Sequence, residues 1–141
     1  MAAREPMVTY VLDSSAVLRY LHNQAGSERV AEIIREHLAG DCEAVISALH
    51  WGEVAGITCK LYGEREMKET FSRLDAFGLR VVPADRDRAV HAALIKVQTG
   101  IPYVDAFGVE LANGTNSVLV TADFDFKPAS RDVKIEFLPA K

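Results

Sequence analysis

The chain has 141 residues, of which 49% are hydrophobic and 26% are charged, and its net charge is −4. This size suits one domain with its own core, so we expect a single domain over residues 1–141. No stretch approaches the roughly 18 apolar residues of a membrane span, and the apolar run near the start is too short for a signal peptide. We therefore expect a cytoplasmic protein without a membrane partner. The acidic balance argues against a broad basic face for nucleic acid, but it does not exclude a nuclease.

The first half of the chain predicts two strands and three helices. In order, these are a buried strand (7–12), a short helix (16–23), an amphipathic helix (27–40), a second strand (43–47) and a helix (48–62). The first segment is mostly apolar and rich in β-formers, which indicates a strand buried on both faces. Val30, Ile33 and Ile34 share one face of the amphipathic helix. Ser47 is a suitable N-cap for the last of these helices.

The second half predicts three more helices and three strands. In order, these are a helix (64–77), a strand (79–82), a helix capped by Asp85 (86–100), a helix from Pro102 to Ala112, a strand (117–121), a loop (122–132) and an edge strand (133–138). The predicted core-facing residues of the helix 86–100 are Val90, Ala93, Leu94 and Val97. Strands that alternate with helices predict an α/β fold, a three-layer α/β/α sandwich around a mainly parallel sheet of four to five strands.

Four acidic residues stand where the chain changes element: Asp13, Glu53, Asp105 and Asp123. Asp13 and Asp123 each follow a predicted strand, and ligands bind at the carboxyl ends of the strands in open α/β sheets. Asp105 lies about one turn into its helix, where the helix dipole favours the ionised form. Taken singly, each acid is better explained as a cap, a turn residue or a solvated helix residue.

Together, the four carboxylates indicate a divalent-metal site. If they were brought together without a cation, each pair at about 4 Å would repel by roughly 4 kcal/mol at an effective dielectric near 20. Hard oxygen ligands suit Mg²⁺ or Mn²⁺, and such a site can activate water for phosphodiester hydrolysis. Ser14 and Thr121 lie beside or near the acids and are predicted to orient them by hydrogen bonding. The histidines lack the spacing of metal ligands and are not assigned to the site: His22, His37, His50 and His91.

The chain resembles a PIN domain, and its length resembles that of a VapC-like toxin from a type II toxin–antitoxin pair. The resemblance extends nearly from end to end and depends on four motifs in this order: VLDSSAVL, SALHWGEV, PYVDAFGVELA and LVTADFDF. It implies an endoribonuclease dependent on Mg²⁺ or Mn²⁺. The implied acidic quartet is Asp13, Glu53, Asp105 and Asp123.

Within that quartet the resemblance implies different roles. Asp13 and Asp105 are the implied metal ligands, and Asp123 completes the metal site. Glu53 is expected to position water and to lie farther from the metal. Asp125 matches a further acid of the family, in a supporting role with Ser14 and Thr121.

The resemblance also implies partners: an RNA substrate, a cognate antitoxin protein and a second copy of the chain in a homodimer. Five basic residues are candidates for contacts with RNA phosphates: Arg19, Lys60, Arg65, Arg86 and Lys127.

Two alternative functions stay open. A PIN-like module that binds RNA or protein without cleavage is one, although the complete acidic set favours cleavage. A receiver-type, Mg²⁺-dependent phospho-signalling domain is the other. It fits less well, because no adjacent acid pair is present and Asp13 already ends the first strand.

Overall fold

Five strands form the centre of the molecule: β1 (Thr9–Leu12), β2 (Glu43–Ser47), β3 (Arg80–Val82), β4 (Ser117–Thr121) and β5 (Lys134–Phe137). They lie in the order β3-β2-β1-β4-β5, and every neighbouring pair is parallel. The computed structural model describes residues 7–140, so the start of the chain considered for a signal peptide lies outside the described residues. The predicted parallel sheet is confirmed, with the predicted edge strand as β5.

Six α-helices surround the sheet in the described part of the chain: α1 (Ser14–Leu21), α2 (Ser27–Leu38), α3 (Ala48–Tyr62), α4 (Glu64–Asp75), α5 (Arg86–Thr99) and α6 (Tyr103–Ala112). A 3-10 helix, Phe124–Ala129, lies in the segment that was predicted to be a loop. The predicted caps are confirmed: the Ser47 side chain accepts from the Leu49 N–H, and Asp85 accepts from the Arg88 N–H. None of the helices among residues 7–140 combines the length and apolar character that crossing a membrane requires.

Two separate core clusters bury the two faces of the sheet. Val11 and Leu119 point to one face, where they pack with residues of α5, α6 and the 3-10 helix. Leu12 and Val120 point to the other face, where they pack with residues of α1, α2 and α4. This alternation along the same strands confirms the three-layer α/β/α sandwich.

The buried face of α5 differs from the predicted one. Val90, Leu94 and Val97 are 62%, 54% and 84% exposed, and Ala93 is also exposed. The side that packs on the core carries Ala89, Ala92 and Ile95 instead. Two sets of apolar residues recur at helical spacing in α5, and the small alanines allow the close approach to α6. The prediction of the inner face was therefore wrong.

The strand order of the sheet reverses between β1 and β4. It passes from β1 to β2 and β3 on one side, and then returns to β4 and β5 on the other. Such a switch point opens a crevice at the carboxyl ends of the two central strands. Asp13 directly follows β1 and Thr121 ends β4, so both lie at this crevice.

Candidate metal centre

Asp13 is held in a fixed orientation at the switch point. Its Oδ1 accepts from the Ala16 N–H at 2.9 Å, which makes it the N-cap of α1. Its Oδ2 accepts from the Thr121 hydroxyl at 2.5 Å. The Ser15 hydroxyl lies 2.7 Å from Oδ1 and 2.9 Å from Oδ2. The Asp13 side chain therefore both caps α1 and forms part of the site, because it also bonds to Thr121 of the neighbouring strand β4.

Burial raises the pKa of the Asp13 carboxyl, whose residue is only 2% exposed. Desolvation of the charged form is the largest cause. The hydrogen bond from Thr121, the electrostatic attraction of His50 and the hydrogen bonds from Ala16 and Ser15 act in the opposite direction. A nearby cation would favour the ionised form of this carboxylate.

Glu53 and Asp105 come together with a histidine. One ligand atom each from His50, Glu53 and Asp105 lie within 4.8 Å of one another. His50 Nε2 is 3.0 Å from Asp105 Oδ1 and 3.8 Å from Glu53 Oε1. The Asp105 side chain is 17% exposed and that of Glu53 is 41% exposed, so solvent reaches both carboxylates.

Helix positions explain why these three side chains meet. His50 and Glu53 are three residues apart on α3, and residues at that spacing share one face of a helix. Asp105 lies in the first turn of α6, where the N-terminal end of the helix favours a negative charge. The cluster therefore depends on the packing of α3 against α6.

Serine hydroxyls join the two parts of the site. The Ser14 hydroxyl donates to Glu53 Oε1 at 3.0 Å, and Ser14 is the residue after Asp13. Ser15 receives the Ala122 N–H at 2.9 Å, which ties the start of α1 to the loop after β4. The predicted hydroxyls thus bond to different acids: Ser14 to Glu53, and Thr121 to Asp13.

Asp123 is connected to this network through Thr121. Its N–H donates to Thr121 Oγ1 at 2.9 Å, and its Oδ1 accepts from the Asp125 N–H at 2.8 Å. It is the N-cap of the 3-10 helix. Asp125 itself is exposed. Among the described residues, the structure groups Glu53 rather than Asp13 or Asp123 with Asp105.

Two residues of the site were not found from the sequence, His50 and Ser15. The spacing of His50 and Glu53 indicates that they share one face of a helix. It does not indicate that they lie near Asp105, because that depends on the contact between α3 and α6. Ser15 follows the Asp13-Ser14 pair that comes after β1, and its contact with Thr121 of β4 depends on the pairing of the two strands. Both contacts join residues that are distant in sequence.

The donor set fits a hard divalent cation. The described cluster contributes carboxylate oxygens from two elements, Glu53 on α3 and Asp105 on α6, beside the imidazole of His50. Mg²⁺ and Mn²⁺ prefer oxygen ligands, and Mg²⁺ usually binds one or two carboxylates together with several waters. The exposure of Glu53 leaves room for such waters.

The sequence of the chain matches an established family. The sequence model of the PIN domain matches residues 10–131, which include all four acids. The chain belongs to the PIN domain family. The predicted resemblance is confirmed by this match. No curated protein matches the chain.

Solved structures share the PIN fold at low sequence identity. DNA-bound VapBC from Salmonella typhimurium superposes with a TM-score of 0.70 at 17% identity, covering 93% of this chain and 98% of that chain. DNA-bound VapBC2 from Rickettsia felis has a TM-score of 0.71 at 16% identity, covering 92% and 98%. VapC20 from Mycobacterium tuberculosis, a Sarcin-Ricin loop cleaving toxin, has a TM-score of 0.64 at 15% identity, covering 92% and 99%. At these identities the likeness establishes the fold alone.

Proposed function

We propose that this PIN domain is an endoribonuclease that depends on Mg²⁺ or Mn²⁺. The observation that carries the proposal is the meeting of Glu53 and Asp105 in one cluster beside the hydrogen-bonded Asp13. Three separate elements deliver these carboxylates to the carboxyl edge of the sheet. A bound cation would offset the mutual repulsion of these carboxylates.

Asp13, Asp105 and Asp123 are the proposed metal ligands. We add Glu53 to this proposal because it shares the cluster with Asp105. When bound, the cation supplies a water of lowered pKa and stabilises the negative charge that develops on the phosphate. The protein's own contribution is orientation. Thr121 and Ser15 hold the Asp13 carboxylate, and Ser14 holds that of Glu53.

Exposed lysines near the acids are the proposed contacts for RNA phosphates. Lys60 lies two turns after Glu53 on the same side of α3, about 10 Å along the helix axis. Lys127 lies in the 3-10 helix that Asp123 caps. Both are exposed. RNA binding whose affinity did not change with salt concentration would contradict this assignment, because phosphate contacts release counterions.

The three arginines among the predicted phosphate contacts are not equally available to bind RNA. Arg19 donates to the carbonyls of Ala25 and Pro139, so it has a structural task. Arg65 lies 3.4 Å from Glu69 in a surface ion pair. Arg86 is exposed at the start of α5. Arg86 therefore stays a proposed contact, and Arg19 is the weakest of the predicted five.

We also propose that the protein is the toxin of a toxin–antitoxin pair in the cytoplasm, where its RNA substrate would lie. The VapBC structures that it resembles are the reason for this proposal. An exposed apolar row on α3, formed by Ile57, Leu61 and Tyr62, continues from the helix turn that carries Glu53. A bound antitoxin segment on this row would obstruct access to the acids. If no protein encoded beside its gene bound or inhibited it, this role would be contradicted.

A homodimer is proposed on different grounds. Val90, Leu94 and Val97 form an exposed apolar row along α5, and exposed rows of this kind are typical of protein interfaces. A shallow cavity of about 480 Å³ lies beside the row, lined by residues of α5 and α6 including Leu94 and Leu111. A second copy of the chain is the proposed occupant.

A cleavage assay tests the proposed activity. Purified protein is incubated with structured RNAs in Mg²⁺, in Mn²⁺ and in chelator, together with the variants Asp13→Ala and Asp105→Asn. We expect internal cleavage in either metal, none in chelator, and a loss of at least about 100-fold in both variants, since the removed carboxylates hold the cation.

The matched control is Asp75→Asn, an exposed acid at the end of α4, which should keep full activity. Cleavage without metal, or full activity in both site variants, would contradict the proposal. RNA binding without cleavage in any metal would support the alternative of a binding module.

A further inference from the structure

We propose that His50 is a positioning residue that orients the Asp105 carboxylate, and through it the pair Asp105 and Glu53, for metal binding. This inference extends the proposed metal-dependent activity and rests on it. His50 is outside the predicted acidic set. Its role follows from where α3 and α6 meet.

The contacts of His50 lead directly to the site. The residue is 0% exposed, and its Nε2 lies 3.0 Å from Asp105 Oδ1. At that distance from a carboxylate oxygen, Nε2 carries the hydrogen and donates it. The bond engages Oδ1 of Asp105 and restrains the rotation of its carboxylate. Asp105 therefore has one preferred orientation before any cation binds.

The imidazole ring itself has little freedom. It packs against α6 at Gly108, where a Cβ atom would lie only 3.0 Å from His50 Cε1. The Phe126 ring is 6.4 Å away, centroid to centroid, at an interplanar angle of 55°. A buried ring enclosed in this way can transmit a fixed geometry to its hydrogen-bond acceptor. Gly108 thus provides the space that the histidine ring requires.

The surroundings of Nδ1 indicate whether Nε2 of His50 donates a hydrogen bond or binds a metal. Nδ1 is buried and has no hydrogen-bond partner among the described residues. If Nε2 bound a metal, Nδ1 would have to carry the hydrogen, and no acceptor for that N–H lies among the described residues. Histidines that bind metals almost always donate that second N–H to a partner. The arrangement therefore favours donation to Asp105 over direct coordination.

A substitution series separates positioning from simple packing. Glutamine places its amide nitrogen near the position of Nε2, whereas asparagine reaches only the position of Nδ1. Mn²⁺ affinity is measured by titration with electron paramagnetic resonance, and folding by circular dichroism. We expect His50→Asn and His50→Leu to weaken Mn²⁺ binding by about 10- to 100-fold, the usual range for a lost partner of a metal ligand. His50→Gln should bind Mn²⁺ more nearly as the wild type does.

The matched control is Thr58→Val, because Thr58 is also buried on α3 and its hydroxyl has no partner among the described residues. It should leave Mn²⁺ affinity unchanged. If His50→Leu fails to fold, the comparison of Gln with Asn still decides the question. A purely structural histidine would lower the melting temperature of the variants without separating Gln from Asn in Mn²⁺ affinity.

Spin-echo spectroscopy of the Mn²⁺-loaded wild type adds a second readout. We expect no signal from a directly coordinated histidine nitrogen, and such a signal would overturn the positioning role. Equal Mn²⁺ affinity in the wild type and in both His50→Asn and His50→Leu would overturn the inference while the metal site stands. A wild type that binds no Mn²⁺ would instead contradict the proposed function, and the inference with it.

Discussion

Asp13 combines a structural and a chemical position in one side chain. It caps α1 and bonds to Thr121 of β4, yet its carboxyl is almost completely buried. Burial raises the pKa of this carboxyl in the folded protein above its ordinary value. The folded protein therefore binds that proton more tightly than the unfolded chain does. The resulting stabilisation is fully present below the ordinary carboxyl pKa and is lost as the pH rises through the raised value.

The pH dependence of this stabilisation gives a prediction for the metal-free protein. As the pH rises above the ordinary carboxyl pKa of about 4 in chelator, we expect the wild type to lose stability relative to Asp13→Asn. Asparagine is as good a helix cap as aspartate and carries no charge to bury. Thermal unfolding of both proteins across this pH range measures the difference. A difference in melting temperature that stays constant with pH would contradict the account, and added Mn²⁺ should reduce the loss in the wild type.

At the scale of single residues, the sequence predicted the acids but not their grouping. The order of Asp13, Glu53, Asp105 and Asp123 was sufficient to indicate a PIN domain, which the family match confirms. That Glu53 lies farther from the metal than the other acids stays a prediction, and the structure brings ligand atoms of Glu53 and Asp105 within 4.8 Å of each other. Their distance depends on how α3 and α6 pack. That packing is a long-range contact, and local patterns carry no information about it.

At the scale of elements, α5 is the clearest case of what periodicity leaves open. Apolar spacing identified Val90, Leu94 and Val97 as one face, and they do share a face. The spacing does not say whether the same chain covers that face. In the structure, Ala92 is fully buried and the row of larger residues is exposed. The strands and most helix bounds were predictable, because apolar runs and capping residues are local signals.

The exposed row on α5 leads to a prediction about assembly. We expect the wild type to be a dimer, and Val97→Lys to shift it to a monomer, because a buried lysine in an apolar interface has no partner. Val97 is 84% exposed in the single chain, so folding should be little affected. Sedimentation velocity measures the change.

The control for this experiment is Leu38→Lys on α2, on the opposite side of the sheet. Leu38 is also exposed, at 58%, and its replacement should leave the dimer intact. A wild type that is monomeric at tens of micromolar, or a Val97→Lys variant that remains dimeric, would place the interface elsewhere or exclude it.

At the scale of the whole molecule, the topology of the sheet brings the site together. β1 and β4 are neighbours at the point where the strand order reverses, so the residues that end them, Asp13 and Thr121, meet there. Helices α3 and α6 then bring Glu53 and Asp105 to the same edge, with His50 between them. The two core clusters fix the helices on either face of the sheet. The architecture was predictable from the alternation of strands and helices, whereas the contact between His50 and Asp105 was not.

The acids of this site are proposed to hold a divalent cation. Crystals soaked in Mn²⁺ and measured at its absorption edge test it directly. We predict an anomalous peak within coordination distance of a carboxylate oxygen of Asp105 or Glu53, which disappears in Asp105→Asn. No peak at these acids, at a Mn²⁺ concentration that supports RNA cleavage, would contradict the account.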